Sequence, residues 1–209
     1  MREEALRKAR DDPQGTAARI LDAAEDVFAE SGYAAASTRA VARRARVPFG
    51  ALHYHWGSKR ELWEAVWRRM VACMRETVLA NVAPSGSPGE IIDKLTDAFL
   101  DLMVADPNWA RLFHLVPLER GEPPMRGLRD IMQEQADFGV AVLRRALPDV
   151  DLDAPATILL MSNAFVAAVV DVDGQRSLLG GDIYESRAAR ERLRVELRRV
   201  GRAVFKVPA

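Results

Sequence analysis

The basic side chains of this sequence are concentrated in one short segment, residues 31–60. That segment holds six basic residues and no acidic one, although the whole chain of 209 residues is neutral, with 30 basic and 30 acidic side chains. The six are Arg39, Arg43, Arg44, Arg46, Lys59 and Arg60. A local excess of positive charge in a neutral chain is typical of a surface that binds phosphate groups. A solvated basic face has the same composition, so charge alone leaves both interpretations open.

Residue types that could catalyse a reaction or hold a metal are present, but their spacing does not favour either role. His53 and His55 lie two residues apart on a predicted helix and point in different directions, so they cannot share one metal ion. The single cysteine, Cys73, can form neither an internal disulfide nor a thiolate zinc site. No spacing joins Cys73 to His114 and Ser162 as nucleophile and base. We therefore expect no enzyme activity, no metal and no cofactor.

Residues 171–174 resemble the first residues of a calcium-binding loop. Such a loop has glycine at its sixth position and glutamate at its twelfth. This sequence has Arg176 and Asp182 there. We predict an ordinary turn at these residues.

Apolar residues recur at helical spacing along almost the whole chain, and no run alternates as a strand does. The predicted fold class is all-α, with about nine helices. Gly32 is expected to end the first helix, Ser37 to cap the second, and Ser58 to cap the fourth in a capping box with Glu61. The predicted ranges are 16–31, 37–45, 49–55, 59–81, 90–105, 107–117, 124–147, 153–172 and 184–206.

The second and third predicted helices are short, follow a longer helix and are joined by a tight turn. This is a helix-turn-helix arrangement, in which a helix of about two turns can enter the major groove of DNA. Many helix pairs pack this way without a ligand, so the arrangement alone is weak support for DNA binding.

Residues from about Thr16 to Trp67 resemble the N-terminal domain of TetR-family transcriptional regulators. The matching stretch reads ILDAAEDVFAESGYAAASTRAVARRARVPFGALHYHWGSKRELWEAV. The residues in the family's register are Ala24, Phe28, Gly32, Tyr33, Val41, Ala42, Ala45, Val47, Gly50, Leu52, His55, Ser58, Lys59 and Leu62. The resemblance implies an N-terminal arm over 1–15, a three-helix DNA-binding domain over 16–62, and a larger helical domain over 63–209 for effector binding and dimerisation.

The same resemblance implies which side chains meet DNA. The residues expected at the DNA backbone or a base edge, at the start of the second helix, are Ser37, Thr38 and Arg39. Those expected in or beside the groove are Phe49, Gly50, His53 and Tyr54. Those expected to hold phosphates are His55 and Lys59, the latter from a helix N-terminus.

The sequence departs from the family's pattern inside the motif. Arg46 stands where a glycine is usual, Pro48 where serine often caps the helix, and His53 where tyrosine is common. A positive φ at Arg46 would cost about 1–2 kcal/mol. Either the turn differs, or the arginine compensates by reaching a phosphate.

The larger domain is rich in methionine and aromatic residues, which by resemblance would enclose an effector pocket. The residues assigned to that region are Trp67, Phe99, Met103, Trp109, Phe113, His114, Met132, Gln135 and Asn163. Ordinary core packing is the alternative for each of them.

Residues 154–170 carry no charge. They are too short, and too rich in polar side chains and alanine, for a membrane span. A helix that is apolar on every side must be buried, which a subunit interface can achieve. By resemblance the last two helices form the dimer interface, and the residues expected there are Leu160, Phe165, Leu193, Leu197, Val200 and Val204. An intramolecular core is the alternative.

The predicted function is a homodimeric DNA-binding transcriptional regulator, a repressor of nearby genes that a small-molecule effector releases from a palindromic operator. One alternative is a constitutive DNA-binding protein without an effector. Another is a helical enzyme or interaction module that retains the motif. The first ten residues, MREEALRKAR, contain no apolar segment typical of a secretion signal, so we expect a cytoplasmic protein without a membrane partner.

Overall fold

The computed structural model describes residues 13–82, 86–116, 124–148 and 150–207. These residues form ten α-helices and no strand, which confirms the all-α fold class. The helices are α1 (Pro13–Ala35), α2 (Thr38–Arg44), α3 (Phe49–Trp56), α4 (Lys59–Asn81), α5 (Pro88–Ala105), α6 (Pro107–Leu115), α7 (Pro124–Ala146), α8 (Ala154–Val170), α9 (Val172–Leu179) and α10 (Arg187–Val204). Of the predicted N-terminal arm, residues 1–12 lie outside the described residues.

The chain divides into two units. The first contains the described residues up to Met70 together with those between Arg111 and Ile131. The second contains the described residues between Val71 and Ala110 and those from Met132 onward.

The first unit is built on the apolar stripe of α1. Ile20, Ala24 and Phe28 repeat at four-residue spacing, which places them on one face of the helix, and all three are buried. Leu52 of α3 and Trp63 of α4 are also fully buried. Because α1 contacts both α2 and α3, it holds the helix-turn-helix pair on its surface.

Local conformational and capping signals act at the predicted positions, although α1 continues past Gly32 to Ala35. Gly32 interrupts α1 with φ 71°, a left-handed value that glycine adopts without strain. The Ser37 hydroxyl accepts a hydrogen bond from the Ala40 amide at 3.2 Å and caps α2. At the start of α4 the Ser58 hydroxyl accepts from the Glu61 amide at 3.2 Å, while Glu61 accepts from the Ser58 amide at 2.8 Å. These contacts confirm the predicted N-cap and capping box.

In the second unit, a ladder of ion pairs joins α5 to α10. The pairs are Asp93 with Arg202, Asp97 with Arg198, and Asp101 with Arg194. Each set of side chains repeats every four residues, so each occupies one face of its helix. The pairing order shows that the two helices run antiparallel.

Close packing accompanies this ladder. Gly201 of α10 is buried, and a Cβ atom at that position would lie 3.1 Å from Cγ2 of Ile92 on α5. Leu197, one turn earlier, is also buried. The absence of a side chain at position 201 lets the two helices approach closely.

The helix after α8 was not predicted. The prediction of an ordinary turn at residues 171–174 is wrong, because Asp171 caps a further helix, α9, by accepting from the Gly174 amide at 2.9 Å. The buried Gln175 side chain donates to the carbonyls of Ala168 and Val169 and accepts from the amide of Ile183. These bonds fix the bend between α8 and α9. The described residues form ten helices, whereas about nine were predicted for the chain.

Within the described ranges, no single helix is both long and apolar enough to cross a membrane. Helices α8 and α9 reach that length and composition only as a pair bent by 77°.

Candidate nucleic-acid interface

The turn between α2 and α3 keeps a left-handed residue although it lacks the glycine. Arg46 has φ 55°. The backbone of the turn is closed by hydrogen bonds from the Arg46 amide to the Arg43 carbonyl at 3.1 Å and from the Val47 amide to the Ala42 carbonyl at 3.0 Å. Because Arg46 adopts the positive φ, the alternative that the turn differs in geometry is wrong. The Arg46 side chain is exposed and stands at the surface.

Helix α3 has one face turned inward and one turned outward. Its inward residues, Ala51 and Leu52, are buried. The outward face consists of Phe49, Gly50, His53 and Tyr54, which are all exposed and follow the spacing of adjacent helical turns. Tyr54 is the most prominent, with 82% of its surface exposed.

The centre of this outward face is open at its backbone. No atom of the surrounding structure lies within 4 Å of the position that a Cβ on Gly50 would occupy. The glycine is therefore not required by packing inside the protein, and it leaves the backbone of α3 accessible to a ligand.

Contacts between neighbouring side chains order the outward face. The guanidinium carbon of Arg39 on α2 lies 5.8 Å from the centre of the Phe49 ring. The Phe49 ring in turn meets the His53 ring edge-on, with ring centres 4.5 Å apart. His53 Nδ1 lies 2.7 Å from the carbonyl oxygen of Gly57, just after the end of α3. Three predicted site residues thus form one contiguous ridge.

Lys59, at the start of α4, is engaged within the protein. Its ammonium group donates to the Ala34 carbonyl at 3.1 Å and lies 4.5 Å from the centre of the Tyr33 ring. These contacts place the charge beside the end of α1. His55 is half-buried and meets the ring of Tyr54 edge-on. Neither Tyr33 nor Ala34 was predicted as a partner of Lys59.

The basic segment is partly neutralised. Arg44 makes two hydrogen bonds to Glu30 of α1, at 2.6 and 2.9 Å, and these bonds hold the pKa of the Glu30 carboxyl below its usual range. Arg60 lies 3.8 Å from Glu64. Arg43 is exposed on α2. At the α2 N-terminus, the Ser37 side chain is exposed and Thr38 is half-buried.

Among the residues that the structure describes, no cluster of three histidine, cysteine, aspartate or glutamate side chains could hold a metal ion.

The residues predicted for an effector pocket are divided between the two units. In the first unit, the Trp67 ring is fully buried and meets the ring of Phe113 edge-on at 5.0 Å, while His114 is exposed. In the second unit, Gln135 accepts from Arg75 at 3.0 Å, and Asn163 is exposed.

The remaining predicted pocket residues also lie in the second unit. Met103 and Trp109 are buried, and Phe99 and Met132 are half-buried. A concavity of this unit contains none of the predicted pocket residues; it is lined by Leu143, Arg144, Leu147, Pro148, Val150, Asp151, Leu152 and Ala154. The pocket assignment stays a prediction.

The residues predicted for a dimer interface differ in exposure. Leu160 and Val200 are 61% and 45% exposed, and Phe165, Leu193 and Val204 are half-buried. Leu197 is only 7% exposed, so its burial is achieved within its own chain.

An exposed leucine that was not predicted, Leu159, precedes Leu160 on α8 with 65% of its surface exposed. Leu159 lies in the same uncharged segment as Leu160, and this position in the sequence could have indicated it as an interface residue. Helix α8 therefore presents apolar side chains at the surface of the chain.

The three-helix packing, the tight turn and the outward face of α3 define a helix-turn-helix protein. The family of bacterial regulatory proteins of the tetR type matches residues 20–66. The transcriptional regulator UidR of Escherichia coli is 34% identical over 189 residues, which span 83% of this chain and 95% of UidR. This chain belongs to the TetR family.

Other relatives match in different proportions. The transcriptional repressor SCO4008 of Streptomyces coelicolor is 29% identical over 195 residues, 90% of this chain and 96% of that protein. The match to the repressor Rv3405c of Mycobacterium tuberculosis is 40% identical but covers only 40% of that protein's length. The solved structure of FadR from Bacillus subtilis, in complex with stearoyl-CoA, shares the fold with a TM-score of 0.65 at 14% identity, over 90% of this chain and 95% of FadR.

Proposed function

We propose that this protein is a homodimeric transcriptional repressor that binds a palindromic operator through α3 and leaves it when a small molecule binds. The observation that carries the proposal is the outward face of α3, where aromatic side chains and an unobstructed glycine stand exposed beside basic residues. Exposed apolar and aromatic patches on a protein surface mark sites of interaction with a partner. A helix of this size fits the major groove of DNA.

The charged groups around α3 support DNA binding with a defined orientation. Arg39, Arg43 and Arg46 are exposed on α2 and the following turn, where they would meet phosphates on either side of the groove. Ser37 and Thr38 would add backbone contacts at the α2 N-terminus, where amide groups favour anions. Phosphate contacts position the protein, whereas the face of α3 would select the sequence.

Lys59 and His55 would contribute differently from the exposed arginines. Because Lys59 is bound to the end of α1, its charge would act on phosphates from a fixed position and would also hold α1 against α4. His55 would contact the backbone beside Tyr54.

Dimerisation would be supplied by the exposed apolar face of α8, including Leu159 and Leu160, together with Val200 on α10. A single α3 contacts too few base pairs to select a site in a genome, whereas two copies can select an inverted repeat. Leu197 would support this surface from inside the chain, because it is already buried there.

The effector would be a small molecule with an apolar part, bound by the larger domain. The presence of stearoyl-CoA in FadR, a protein of the same fold, supports this class of ligand. A ligand shifts an equilibrium only by binding one conformation better than another, so the effector would favour a dimer whose two α3 helices no longer match the operator. A DNA-binding repressor of this kind would act in the cytoplasm.

The direct test is a competition mobility shift with DNA from beside the protein's own gene. The proposal expects a shifted complex that a scrambled duplex does not compete away, and whose affinity falls steeply as salt rises. Equal competition by the two duplexes would contradict sequence-specific binding. A thermal-shift screen of apolar compounds, followed by the same mobility assay with each hit, tests release by an effector and separates this proposal from constitutive binding.

A further inference from the structure

The imidazole ring of His53 is held in one orientation although the side chain is exposed. Its Nδ1 atom lies 2.7 Å from the carbonyl oxygen of Gly57. The Phe49 ring packs edge-on against the imidazole, with ring centres 4.5 Å apart and an angle of 89° between the ring planes. Gly57 has φ 58° and ψ −75°, so the direction of its carbonyl depends on a backbone conformation that favours glycine.

The contact with Gly57 determines which ring nitrogen carries hydrogen. A carbonyl oxygen can only accept a hydrogen bond, so Nδ1 must be the donor. In the neutral imidazole, the other nitrogen, Nε2, then carries a lone pair and no hydrogen. His53 therefore offers an acceptor on the outward face of α3.

An acceptor at this position excludes most of its possible partners on DNA. Phosphate oxygens are acceptors and cannot bond to it. In the major groove, guanine O6 and N7 and thymine O4 are also acceptors, and the only donors are the amino groups N6 of adenine and N4 of cytosine. We propose that His53 is a specificity-determining residue that selects adenine or cytosine by accepting a hydrogen bond from that amino group.

This inference rests on the proposed DNA-binding function and gives it a chemical specificity. The bases that His53 would select also differ from those that its neighbours can contact. Arg39 carries donors and can bond to phosphates or guanine, and Phe49 can contact a thymine methyl group. A purely structural role, in which His53 only closes the end of α3 on Gly57, makes no prediction about base preference.

The first test is selection of duplexes from a random library by the full-length protein at about pH 8, where imidazole groups are generally neutral. The wild type is compared with His53→Asn and His53→Gln, after thermal melts show that each variant folds. Asparagine keeps a donor near the position of Nδ1 but has no atom at that of Nε2. Glutamine places an amide at the position of Nε2 and can pair with adenine.

The expected result is one position in each half-site that the wild type restricts to adenine or cytosine on one strand. His53→Asn should lose the preference at that position alone, and His53→Gln should retain adenine there. An unchanged preference in His53→Asn would overturn the proposal, since the histidine would then be only a cap. A His53-dependent preference for guanine would overturn it too, because guanine presents only acceptors there.

The second test uses only the wild-type protein. At the selected position, adenine is replaced by purine or cytosine by 2-pyrimidinone, each of which lacks the amino group. Loss of one hydrogen bond to a buried polar partner should weaken binding about tenfold. The same replacement at a neighbouring unselected position is the control, and equal affinities for the two modified duplexes would overturn the proposal. If the wild type enriches no duplex at all, the proposed function itself fails before any variant is compared, and the inference falls with it.

Discussion

Arg46 and Gly50 both occupy backbone positions that another residue type would stabilise better. Arg46 has the left-handed φ that glycine tolerates, and Gly50 lies inside a helix where alanine is favoured. Neither choice is explained by packing, since both residues are exposed. The proposed contact with DNA would account for both, because it would use a cation at the turn and a bare backbone on α3.

Gly50→Ala should therefore change stability and DNA binding in opposite directions. Nothing obstructs the added methyl group within the protein, so the free energy of unfolding should rise by about 0.5–1 kcal/mol. On DNA the methyl group would occupy the space needed for close approach, and affinity for the selected duplex should fall. Urea denaturation and anisotropy titration measure the two effects. A variant that is more stable and binds equally well would show that α3 does not approach DNA at Gly50.

Arg46→Gly and Arg46→Ala form a matched pair that separates backbone strain from charge. Both remove the guanidinium, but only glycine relieves the left-handed conformation. The glycine variant should be more stable than the alanine variant by about 1 kcal/mol in urea denaturation. Both should reduce the salt dependence of DNA binding by about one phosphate contact per subunit. If the variants show the same salt dependence of DNA binding as the wild type, Arg46 does not contact a phosphate.

The local signals along the chain were sufficient to predict most helices, because a cap depends on residues within one turn. Ser37, Ser58 and Glu61 are examples. An aspartate such as Asp171 can begin either a turn or a helix, so α9 could not be distinguished from a loop. The residues of the outward face of α3 were expected from the resemblance to the TetR family, and periodicity alone did not identify them. The bond between His53 and Gly57 depends on a side-chain rotamer, which periodicity does not determine.

Long-range partners were the least predictable feature. The spacing of Leu193, Leu197, Val200 and Val204 indicates a buried face of α10. The same spacing arises whether another subunit or α5 covers that face. The ladder between α5 and α10 is reflected in the sequence, where aspartate and arginine each repeat every four residues. Sequence spacing alone does not say which two helices pair.

The ladder should make the second unit sensitive to acid. Hydrogen bonds from Arg202, at 2.6 and 2.9 Å, lower the pKa of Asp93 in the folded protein. A lowered carboxyl pKa contributes stability above the unfolded value of about 4, and this contribution is lost as pH falls through the folded value. Wild-type stability should therefore fall more steeply below about pH 4 than that of Asp93→Asn. Urea denaturation across this range measures the difference.

Arg202→Gln is the matched partner of that variant. Because it removes the cause of the lowered pKa, it should flatten the acid limb of the stability profile in the same way. Parallel profiles for the wild type and both variants would show that the pair does not contribute to stability in solution.

The proposed dimer can be tested with leucines of similar exposure. Leu160→Glu places a charge on the exposed face of α8 and should yield a folded monomer that has lost specific DNA binding. Leu79→Glu, at a leucine 64% exposed on α4, is the control and should remain dimeric. Sedimentation and circular dichroism distinguish these outcomes.

Leu197→Glu should behave differently from both, because a charge at this buried position costs several kcal/mol and should unfold the second unit. A Leu160→Glu protein that stays dimeric and binds DNA with unchanged affinity would contradict the assignment of the interface to α8.

A hydroxyl-radical footprint of the full-length protein on DNA from beside its own gene tests the central claim most directly, namely that a dimer binds DNA through two copies of α3. The predicted result is two protected blocks in an inverted repeat, with centres about 10 base pairs apart or a multiple of that distance. Both blocks should weaken together in Tyr54→Ala, whose side chain is 82% exposed and contributes little to folding. A single unpaired block, no protection, or a footprint unaffected by Tyr54→Ala would contradict the account.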